Sequence, residues 1–274
     1  MTRLTIGRDT VVCMSLAGRP GTFGSRFHNH LYEALGLDYL YKAFTTTDLQ
    51  AAIAGVRALG IRGCAISMPF KEACIPLLDE LGPSARAIAS VNTIVNEAGR
   101  LVGHNTDYNA VRSLLQQHAV PREVRFVLRG SGGMAKAVAS ALRDAGYRRG
   151  TIVARNQGAG RALAQACDYD FRDSLIGVKA ELLINVTPIG MTGTAVAAEL
   201  AFPRDLVEAA DIVFDVVANP AETPLILAAL QAGKRVITGT EVIALQALDQ
   251  FELYTGLRPT AVQVQAAVRF ATAL

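Results

Sequence analysis

A glycine-rich turn between a buried strand and a helix constrains the fold of this chain most strongly. The apolar run Val124–Leu128 predicts the strand, and Gly130-Ser131-Gly132-Gly133-Met134-Ala135 follows it. Met134–Leu142 then has the apolar spacing of a helix, and a second strand is predicted at Thr151–Ala154. Strand, helix and parallel strand form a βαβ unit, so we expect this part of the chain to be a parallel sheet wrapped by helices.

The remainder of the chain also alternates strands and helices, and it divides in two near residue 105. The predicted strands are Val11–Leu16, Leu40–Phe44, Gly63–Met68, Leu182–Val186, Ile212–Val217 and Arg235–Ile237, with a hairpin at Val91–Asn96 and Leu101–His104. The predicted helices include Phe27–Leu35, Leu49–Leu59, Glu241–Tyr254 and Ala261–Ala273. This order predicts an α/β protein of two units, in which strands that alternate with helices form parallel pairs and the hairpin belongs to the first unit.

Composition excludes several classes of protein. The 274 residues are 51% hydrophobic and 19% charged, which excludes a disordered chain. No run approaches the ~18 apolar residues of a membrane span, and Met1–Thr10 lacks the apolar segment of a secretory signal. The net charge of +3 is too small to indicate a nucleic-acid partner. We expect a cytoplasmic protein without a membrane partner or a metal site, with reduced, buried cysteines at Cys13, Cys64, Cys74 and Cys167.

The glycine turn has the layout of a dinucleotide-binding loop. Gly130 would allow the tight turn, Gly132 would let the backbone approach a pyrophosphate, and a small residue would permit close packing of helix on strand. The N–H groups at the start of the helix could then bind the phosphates. A plain strand-to-helix turn is the alternative, but the strand before the glycines and the helix and strand after them favour the binding role.

The end of the second strand indicates which dinucleotide is bound. NAD enzymes usually carry an acidic residue about 20 residues after the glycines, where it binds the ribose 2′-hydroxyl. This strand ends in Ala154-Arg155-Asn156, with no acid and an arginine in reach. A guanidinium suits a 2′-phosphate, so the sequence predicts NADP, although an arginine after a strand is also a common surface residue.

Polar side chains are concentrated in three segments where strands of the first unit should end. The segments are Ser67-Met68-Pro69-Phe70-Lys71, Ser90-Val91-Asn92-Thr93 and His104-Asn105-Thr106-Asp107. Ligands of parallel sheets bind at the carboxyl ends of strands, so these segments are expected to converge. Lys71 beside Asp107 could form a proton relay at a carbonyl oxygen. From spacing alone, ordinary surface charges are the simpler interpretation.

The motifs and their order make the chain resemble the shikimate dehydrogenase family over nearly its whole length. The matching segments are Phe27-His28-Asn29, Ser67 to Lys71, Val91-Asn92-Thr93, Asn105-Thr106-Asp107, Gly130 to Ala135, Asn185-Val186-Thr187-Pro188-Ile189-Gly190-Met191 and Gln246-Ala247. The resemblance implies a substrate-binding α/β domain at 1–105 plus 240–274, and an NADP-binding, doubly wound Rossmann domain at 106–239. It implies an NADP-dependent oxidoreductase that interconverts shikimate and 3-dehydroshikimate, in the chorismate pathway of aromatic amino acid biosynthesis.

Residue roles follow from the same resemblance. Lys71 and Asp107 become the catalytic pair. The substrate-binding residues are Thr22, Ser67, Asn92 and Gln246. The cofactor-binding residues are Gly130, Ser131, Gly132, Gly133, Met134, Ala135, Arg155, Asn156, Val216 and Gly239. His28 is expected to pack beneath the substrate loop, and Phe251 and Tyr254 to belong to the core.

Three positions lack the polar side chain that the family pattern has there, and a fourth, Thr22, keeps a hydroxyl. The family has a Ser-x-Ser pair that grips the substrate carboxylate, and here Thr22 and Gly24 occupy those places. The tyrosine that contacts substrate after the fifth strand of the Rossmann domain falls on Ala218, and the usual cofactor-binding asparagine falls on Ala154. A lost hydrogen bond to a charged group costs about 1.5–3 kcal/mol. The chain therefore resembles a divergent, shikimate dehydrogenase-like branch, and we expect low activity on shikimate.

Three alternatives stay open at this point. The first is a quinate or aminoshikimate dehydrogenase, and the second is an NADP-binding regulatory protein with vestigial catalysis. The third, a folate dehydrogenase of similar layout, is disfavoured by Asn105-Thr106-Asp107 and Gln246-Ala247. The sequence does not choose between a monomer and a homodimer.

Overall fold

The computed structural model describes residues 6–273, which separate into two compact units. Unit 1 comprises residues up to 106 together with those from 244 onward, and unit 2 is Asp107–Ile243. The sequence places the division at 1–105 plus 240–274 against 106–239, which differs by a few residues. Residues 1–5 and 274 lie outside the described residues. The sequence assigns them to the first domain, and residues 1–5 are part of the N-terminal segment that was expected to lack a secretory signal.

Unit 1 is built on a mixed six-stranded sheet. Its strands are β1 Val11–Leu16, β2 Tyr39–Phe44, β3 Gly63–Ile66, β4 Glu80–Leu81, β5 Thr93–Glu97 and β6 Arg100–His104. They lie in the order β2-β1-β3-β5-β6-β4. β1 is parallel to β2 and β3, whereas β5 is antiparallel to both β3 and β6. The expected hairpin is confirmed as β5 and β6, and the sheet is mixed because a tight turn returns the chain antiparallel.

Unit 2 is a wholly parallel six-stranded sheet. Its strands are β7 Phe126–Arg129, β8 Gly150–Val153, β9 Asp170–Arg172, β10 Leu182–Asn185, β11 Ile212–Asp215 and β12 Arg235–Ile237. They lie in the order β12-β11-β10-β7-β8-β9. Counted within the unit this is 6-5-4-1-2-3, the doubly wound order in which the chain reverses direction at the first strand. The predicted Rossmann fold is confirmed.

Eleven α-helices are assigned within residues 6–273. They are α1 Phe23–Ala34, α2 Leu49–Ala58, α3 Phe70–Ala73, α4 Pro83–Ile88, α5 Thr106–Gln117, α6 Gly133–Asp144, α7 Gln157–Cys167, α8 Arg204–Ala209, α9 Pro224–Gln231, α10 Gly239–Thr255 and α11 Ala261–Thr272. A turn of 3-10 helix follows α3 at Ile75–Leu77. The chain passes from one unit to the other at the start of α5 and within α10, so these two helices carry residues of both units.

Each unit has its own apolar core. In unit 1, α1 and α11 pack together with the last turns of α10, and the core includes Phe27, Phe251 and Tyr254, as expected for the last two. In unit 2, alternate residues of β7, β10 and β11 pack against Phe202 and helices α8 and α9. Side chains that alternate along a strand face one side of the sheet, so these residues belong to a single layer.

Several predicted bounds were wrong by a few residues. The helix predicted from Phe27 begins at Phe23, so Gly24 and Ser25 lie in its first turn. The strand predicted to Met68 ends at Ile66, because the Phe70 N–H donates to the Ser67 carbonyl and turns the chain into α3. The strand predicted from Val91 begins at Thr93.

Three further features of the structure bear on the expectations from composition. All four cysteines are free and buried. Within residues 6–273, no helix combines the length and the hydropathy of a membrane span. No three His, Cys, Asp or Glu side chains of the described chain are grouped as metal ligands would be.

Candidate active site

Three segments of unit 1 meet at one end of its sheet. The Ile66 N–H at the end of β3 donates to the Asn92 carbonyl at 2.7 Å. The Asn92 N–H in turn donates to the His104 carbonyl at the end of β6 at 3.0 Å. β5 is antiparallel to β3 and β6. The residues just before β5 therefore lie beside the residues that follow β3 and β6. The predicted convergence of Ser67, Asn92 and Asn105 at one end is therefore found within the unit.

Asn92 is the centre of a hydrogen-bonded group that we call the Asn92 cluster: Asn92, Thr93, Thr106, Gln246 and Gln250. Asn92 is 2% exposed, and its Oδ1 accepts from the Thr106 N–H and the Thr93 hydroxyl, both at 2.8 Å. Its Nδ2 donates to the Thr106 Oγ1 at 2.9 Å and to the Gln246 Oε1 at 3.4 Å. Both ends of the amide are used, so the orientation of the Asn92 side chain is fixed.

Gln250 supports the cluster from one turn further along α10. Its Nε2 donates to the Thr93 hydroxyl at 3.0 Å. Residues four apart share one face of a helix, so Gln246 and Gln250 both face this end of the sheet. The sequence reasoning missed Gln250, although its i+4 spacing from Gln246 was a usable signal.

The proposed catalytic residues lie on the elements that border this cluster. Lys71 is half-buried in α3, and its carbonyl accepts from the Val91 N–H at 2.8 Å, which ties α3 to the segment before Asn92. Asp107 is 4% exposed in the first turn of α5, directly after Thr106. Thr106 is fixed by Asn92, so the backbone that carries Asp107 is fixed at the same point.

Two of the positions that differ from the family pattern lie at the start of α1, Thr22 just before the helix and Gly24 in its first turn. Thr22 is exposed and precedes the helix, and its side chain makes no capping hydrogen bond. A Cβ added at Gly24 would lie 3.4 Å from the Tyr41 hydroxyl oxygen, an ordinary contact distance. A small side chain would therefore fit at residue 24, and its absence is not imposed by packing.

His28 is buried in an aromatic cluster beneath this turn. Its ring stacks on Tyr41, with 4.5 Å between ring centroids, and lies edge-on to Phe27. Among the described residues, neither ring nitrogen has a partner within hydrogen-bond geometry, although the Gln250 side chain is near enough to act weakly on the pKa. Burial lowers the pKa of His28 to about 3, so the imidazole is neutral at physiological pH. The expectation that His28 packs beneath the loop is confirmed.

In unit 2, the glycine turn has the local geometry that a dinucleotide-binding loop requires. Gly130 has a φ of +134°, and a Cβ there would lie 2.7 Å from the Val186 Cγ2 atom. Gly132 immediately precedes α6, and a Cβ added to it would meet nothing within 4 Å. Ala135 is fully buried. The first glycine is thus required by the protein's own packing, whereas the second borders open space beside the free N–H groups of a helix start.

The segment after β8 places Arg155 and Asn156 on the surface. The Asn156 Oδ1 accepts from the Ala159 N–H at 3.1 Å and caps α7. Ala154 is buried, and its Cβ would lie 3.0 Å from a Cβ added at Gly160. Residue 154 therefore lies in the close packing of β8 against α7.

A buried polar network follows β10 and β11. The Asp215 carboxylate accepts from the Thr223 hydroxyl at 2.6 Å, the Asn185 amide at 2.9 Å and the Val217 N–H at 3.1 Å. Burial raises the pKa of Asp215 to about 6, and these hydrogen bonds act in the opposite direction. The network fixes the backbone at residues 216–218, where the sequence predicts a cofactor contact at Val216. Sequence reasoning gave Asp215 no role.

Gly239 packs directly against the same backbone. A Cβ at Gly239 would overlap the carbonyl group of Val217. Such an approach is possible only for glycine. The start of α10 is therefore held against the segment after β11, which carries Ala218 in the place of the family tyrosine.

Comparison with known proteins agrees with this architecture. Residues 22–94 match the family model described as the shikimate dehydrogenase substrate binding domain. A shikimate dehydrogenase-like protein of Haemophilus influenzae is 52% identical over 266 residues, covering 97% of this chain and 98% of the relative.

Solved structures give the same result. A shikimate 5-dehydrogenase-like protein matches with a TM-score of 0.93 at 51% identity, covering 98% of this chain and 100% of that one. The shikimate 5-dehydrogenase of Thermus thermophilus, solved with NADP(H) and shikimate, matches with a TM-score of 0.85 at 30% identity, over 95% of this chain and 99% of that one. Sequence and fold together show that the chain belongs to the shikimate dehydrogenase family.

Proposed function

We propose that this protein is an NADP-dependent oxidoreductase that interconverts a hydroxyl and a ketone on shikimate, 3-dehydroshikimate or a close analogue. The observation that carries the proposal is the Asn92 cluster, a set of fixed amide and hydroxyl groups at the end of the unit 1 sheet. Such groups suit a polyhydroxylated ring, since a site that hydrogen-bonds substrate hydroxyls rejects analogues that lack them. In this proposal Asn92, Gln246, Ser67 and Thr22 bind the substrate.

The residues of unit 2 fit NADP. The open space at Gly132 lies beside the start of α6, where N–H groups can bind a pyrophosphate. β8 ends without the acid that would bind a 2′-hydroxyl, and Arg155 is exposed there. We assign cofactor contacts to residues 130–135, Arg155, Asn156, Val216 and Gly239. The Thermus relative, solved with NADP(H), supports the same choice.

The proposed chemistry needs one hydride and one proton. When bound, the nicotinamide would supply the hydride to the ketone carbon or accept it from the alcohol carbon. In the reducing direction Lys71 donates a proton to the carbonyl oxygen as that oxygen gains charge, and the Asp107 carboxylate orients the ammonium; the neutral amine then regains a proton from solvent. In the oxidising direction the same pair removes the proton from the hydroxyl. The fixed backbone before Asp107 supports this role, because proton transfer requires precise placement.

We propose low activity on shikimate itself. The first turn of α1 offers the Thr22 hydroxyl but no side chain at Gly24, and Ala218 offers no hydroxyl. Fewer donors to the substrate leave the ring less firmly positioned, which lowers kcat as well as affinity. A quinate or an aminoshikimate is the second candidate, because the room at Gly24 could admit a different substituent pattern.

We also propose a cellular location and an oligomeric state for this protein. Four free, buried cysteines suit the reducing cytoplasm. A monomer or a homodimer is the assembly that we propose.

A substrate screen tests the function. NADP⁺ reduction would be followed with shikimate, quinate and aminoshikimates, with Lys71→Ala as the blank. We expect turnover of at least one of these acids, lost in the Lys71→Ala variant. Tight NADP(H) binding without turnover of any of them would instead support the regulatory alternative.

A further inference from the structure

A second arginine lies close to Arg155 in unit 2. Arg129 is the last residue of β7, the strand that leads into the glycine turn. Its lateral neighbour on β8 is Val153, and Arg155 follows two residues later. Arg155 lies beyond the end of β8, in the bend before α7. The two arginines therefore stand at the carboxyl ends of adjacent parallel strands, β7 and β8.

The Arg129 side chain is held in place from one side. One of its terminal nitrogens donates to the Ala201 carbonyl, in the segment between β10 and α8. A guanidinium has five N–H donors, so this bond leaves donors for a further acceptor. The side chain is half-buried, in contrast to the exposed Arg155.

The two positive charges are close enough to affect each other. Burial, followed by the charge of Arg155, lowers the pKa of Arg129, while Glu199 acts in the opposite direction. Among residues 6–273, neither Arg129 nor Arg155 has a carboxylate within ion-pair distance. Two like charges held together without a paired acid form a site that an anion would stabilise.

We propose that Arg129 acts with Arg155 as a second anchor for the 2′-phosphate of NADP, and so determines the choice of cofactor. This inference rests on the proposed function. Two arginines can share the oxygens of a phosphomonoester dianion through several charge-assisted hydrogen bonds. The side chain of Ala154 offers no donor at the end of β8, so a donor on the neighbouring strand β7 gains importance. The Asn156 Oδ1 caps α7, and its Nδ2 can add a neutral donor beside the two arginines.

The test measures binding, not turnover. Dissociation constants of NADPH and NADH are obtained by nucleotide fluorescence for the unmodified protein and for Arg129→Met, Arg129→Lys and Arg155→Met. Adenosine 2′,5′-bisphosphate and 5′-AMP, titrated as competitors, isolate the contribution of the 2′-phosphate. The matched control is Arg148→Met, which removes one exposed positive charge just before β8, at the opposite end of the same sheet.

We expect Arg129→Met to weaken NADPH binding by tenfold or more and to leave NADH binding within about twofold. Arg129→Lys should restore part of the loss, and Arg148→Met should change neither constant. Unchanged NADPH binding in Arg129→Met, with the unmodified protein still preferring NADPH, overturns the inference and leaves the proposed cofactor standing. Equal loss of NADPH and NADH would assign Arg129 a structural role and also overturns it. An unmodified protein without any preference overturns the choice of NADP and this inference together.

Discussion

The two proposed sites, one at an end of each sheet, differ in what they offer a ligand. In unit 1 the site consists of side chains that already bond to one another, with Asn92 satisfied by Thr93, Thr106 and Gln246. In unit 2 it consists of backbone and charge, with open space at Gly132 and an exposed Arg155. A fixed network suits discrimination among ring hydroxyls, and open backbone suits a phosphate that approaches closely. In the proposed function, preorganised side chains thus serve the substrate, and bare backbone serves the cofactor.

The largest expected effect separates chemistry from cofactor binding. Lys71→Ala and Asp107→Ala should each lower kcat on the best substrate by about 10²–10⁴-fold, because proton transfer by a positioned group contributes that much. Affinity for NADPH, measured by fluorescence titration, should change little. Both variants retaining full turnover would show that the two residues have no catalytic role.

The next prediction distinguishes residues of the Asn92 cluster that stabilise the fold from residues that bind the substrate. Asn92→Ala leaves the buried Thr106 N–H without its acceptor, so we expect the free energy of unfolding to fall by about 1–3 kcal/mol. Gln246→Ala removes one long hydrogen bond of a half-buried side chain and should raise KM with little change in stability. Urea unfolding and steady-state kinetics measure the two quantities. A large loss of stability in Gln246→Ala would contradict the distinction.

The two units should respond to acid in opposite directions. The His28 pKa is lowered from 6.5 to about 3, so its contribution to stability is present above pH 6.5 and lost as pH falls towards 3. The Asp215 pKa is raised from 3.8 to about 6, so its contribution is present below pH 3.8 and lost as pH rises through 6. Each single proton changes stability by at most about 1.4 kcal/mol per pH unit.

Single variants separate the contributions of His28 and Asp215 to the pH dependence of stability. Relative to the unmodified protein, His28→Phe should lose less stability between pH 6.5 and 4.5, and Asp215→Asn should lose more. Denaturant unfolding at the two pH values measures both. Identical pH dependence in all three proteins would show that neither group titrates in this range.

The smallest effect concerns the departures from the family pattern. Gly24→Ser places a hydroxyl in the first turn of α1, where its Cβ has room beside Tyr41. Combined with Ala218→Tyr, it should raise kcat/KM for shikimate by about tenfold or more, since each restored bond to a charged group is worth at least that. An unmodified protein already as fast on shikimate as ordinary biosynthetic relatives would make these positions irrelevant.

Local patterns were sufficient to predict the second unit and its glycine turn. A strand, three glycines and a helix lie within about 20 residues, so the signal is contained in one short window. The antiparallel β5 was recognised from its hairpin, but its effect on the sheet was not, because pairing of β3 with β5 joins segments far apart in the chain. The short β9 and α3 gave too few residues for a periodic pattern.

The sequence predicted only those site residues that lie in recognisable motifs. Spacing alone favoured surface charges at Lys71 and Asp107, and the resemblance to a family assigned them roles. The contributions of Gln250, Asp215 and Arg129 depend on partners distant in sequence, or on a sheet register that no local pattern specifies. Burial and hydrogen-bond pairing of polar side chains are decided by tertiary structure.

Some glycines of unit 2 have no room for a side chain and others do, and this difference predicts how each tolerates substitution. At Gly239 any added Cβ would overlap the protein's own backbone, and at Gly130 a φ of +134° adds to a close contact with Val186. Gly132 has neither restriction. In a saturation library sorted by cellular abundance, replacements at Gly239 and Gly130 should disappear, whereas most at Gly132 should persist. Sorted instead for capture on immobilised nucleotide, the Gly132 replacements should vanish as well, so the two selections would map the pyrophosphate site without any bound ligand being seen.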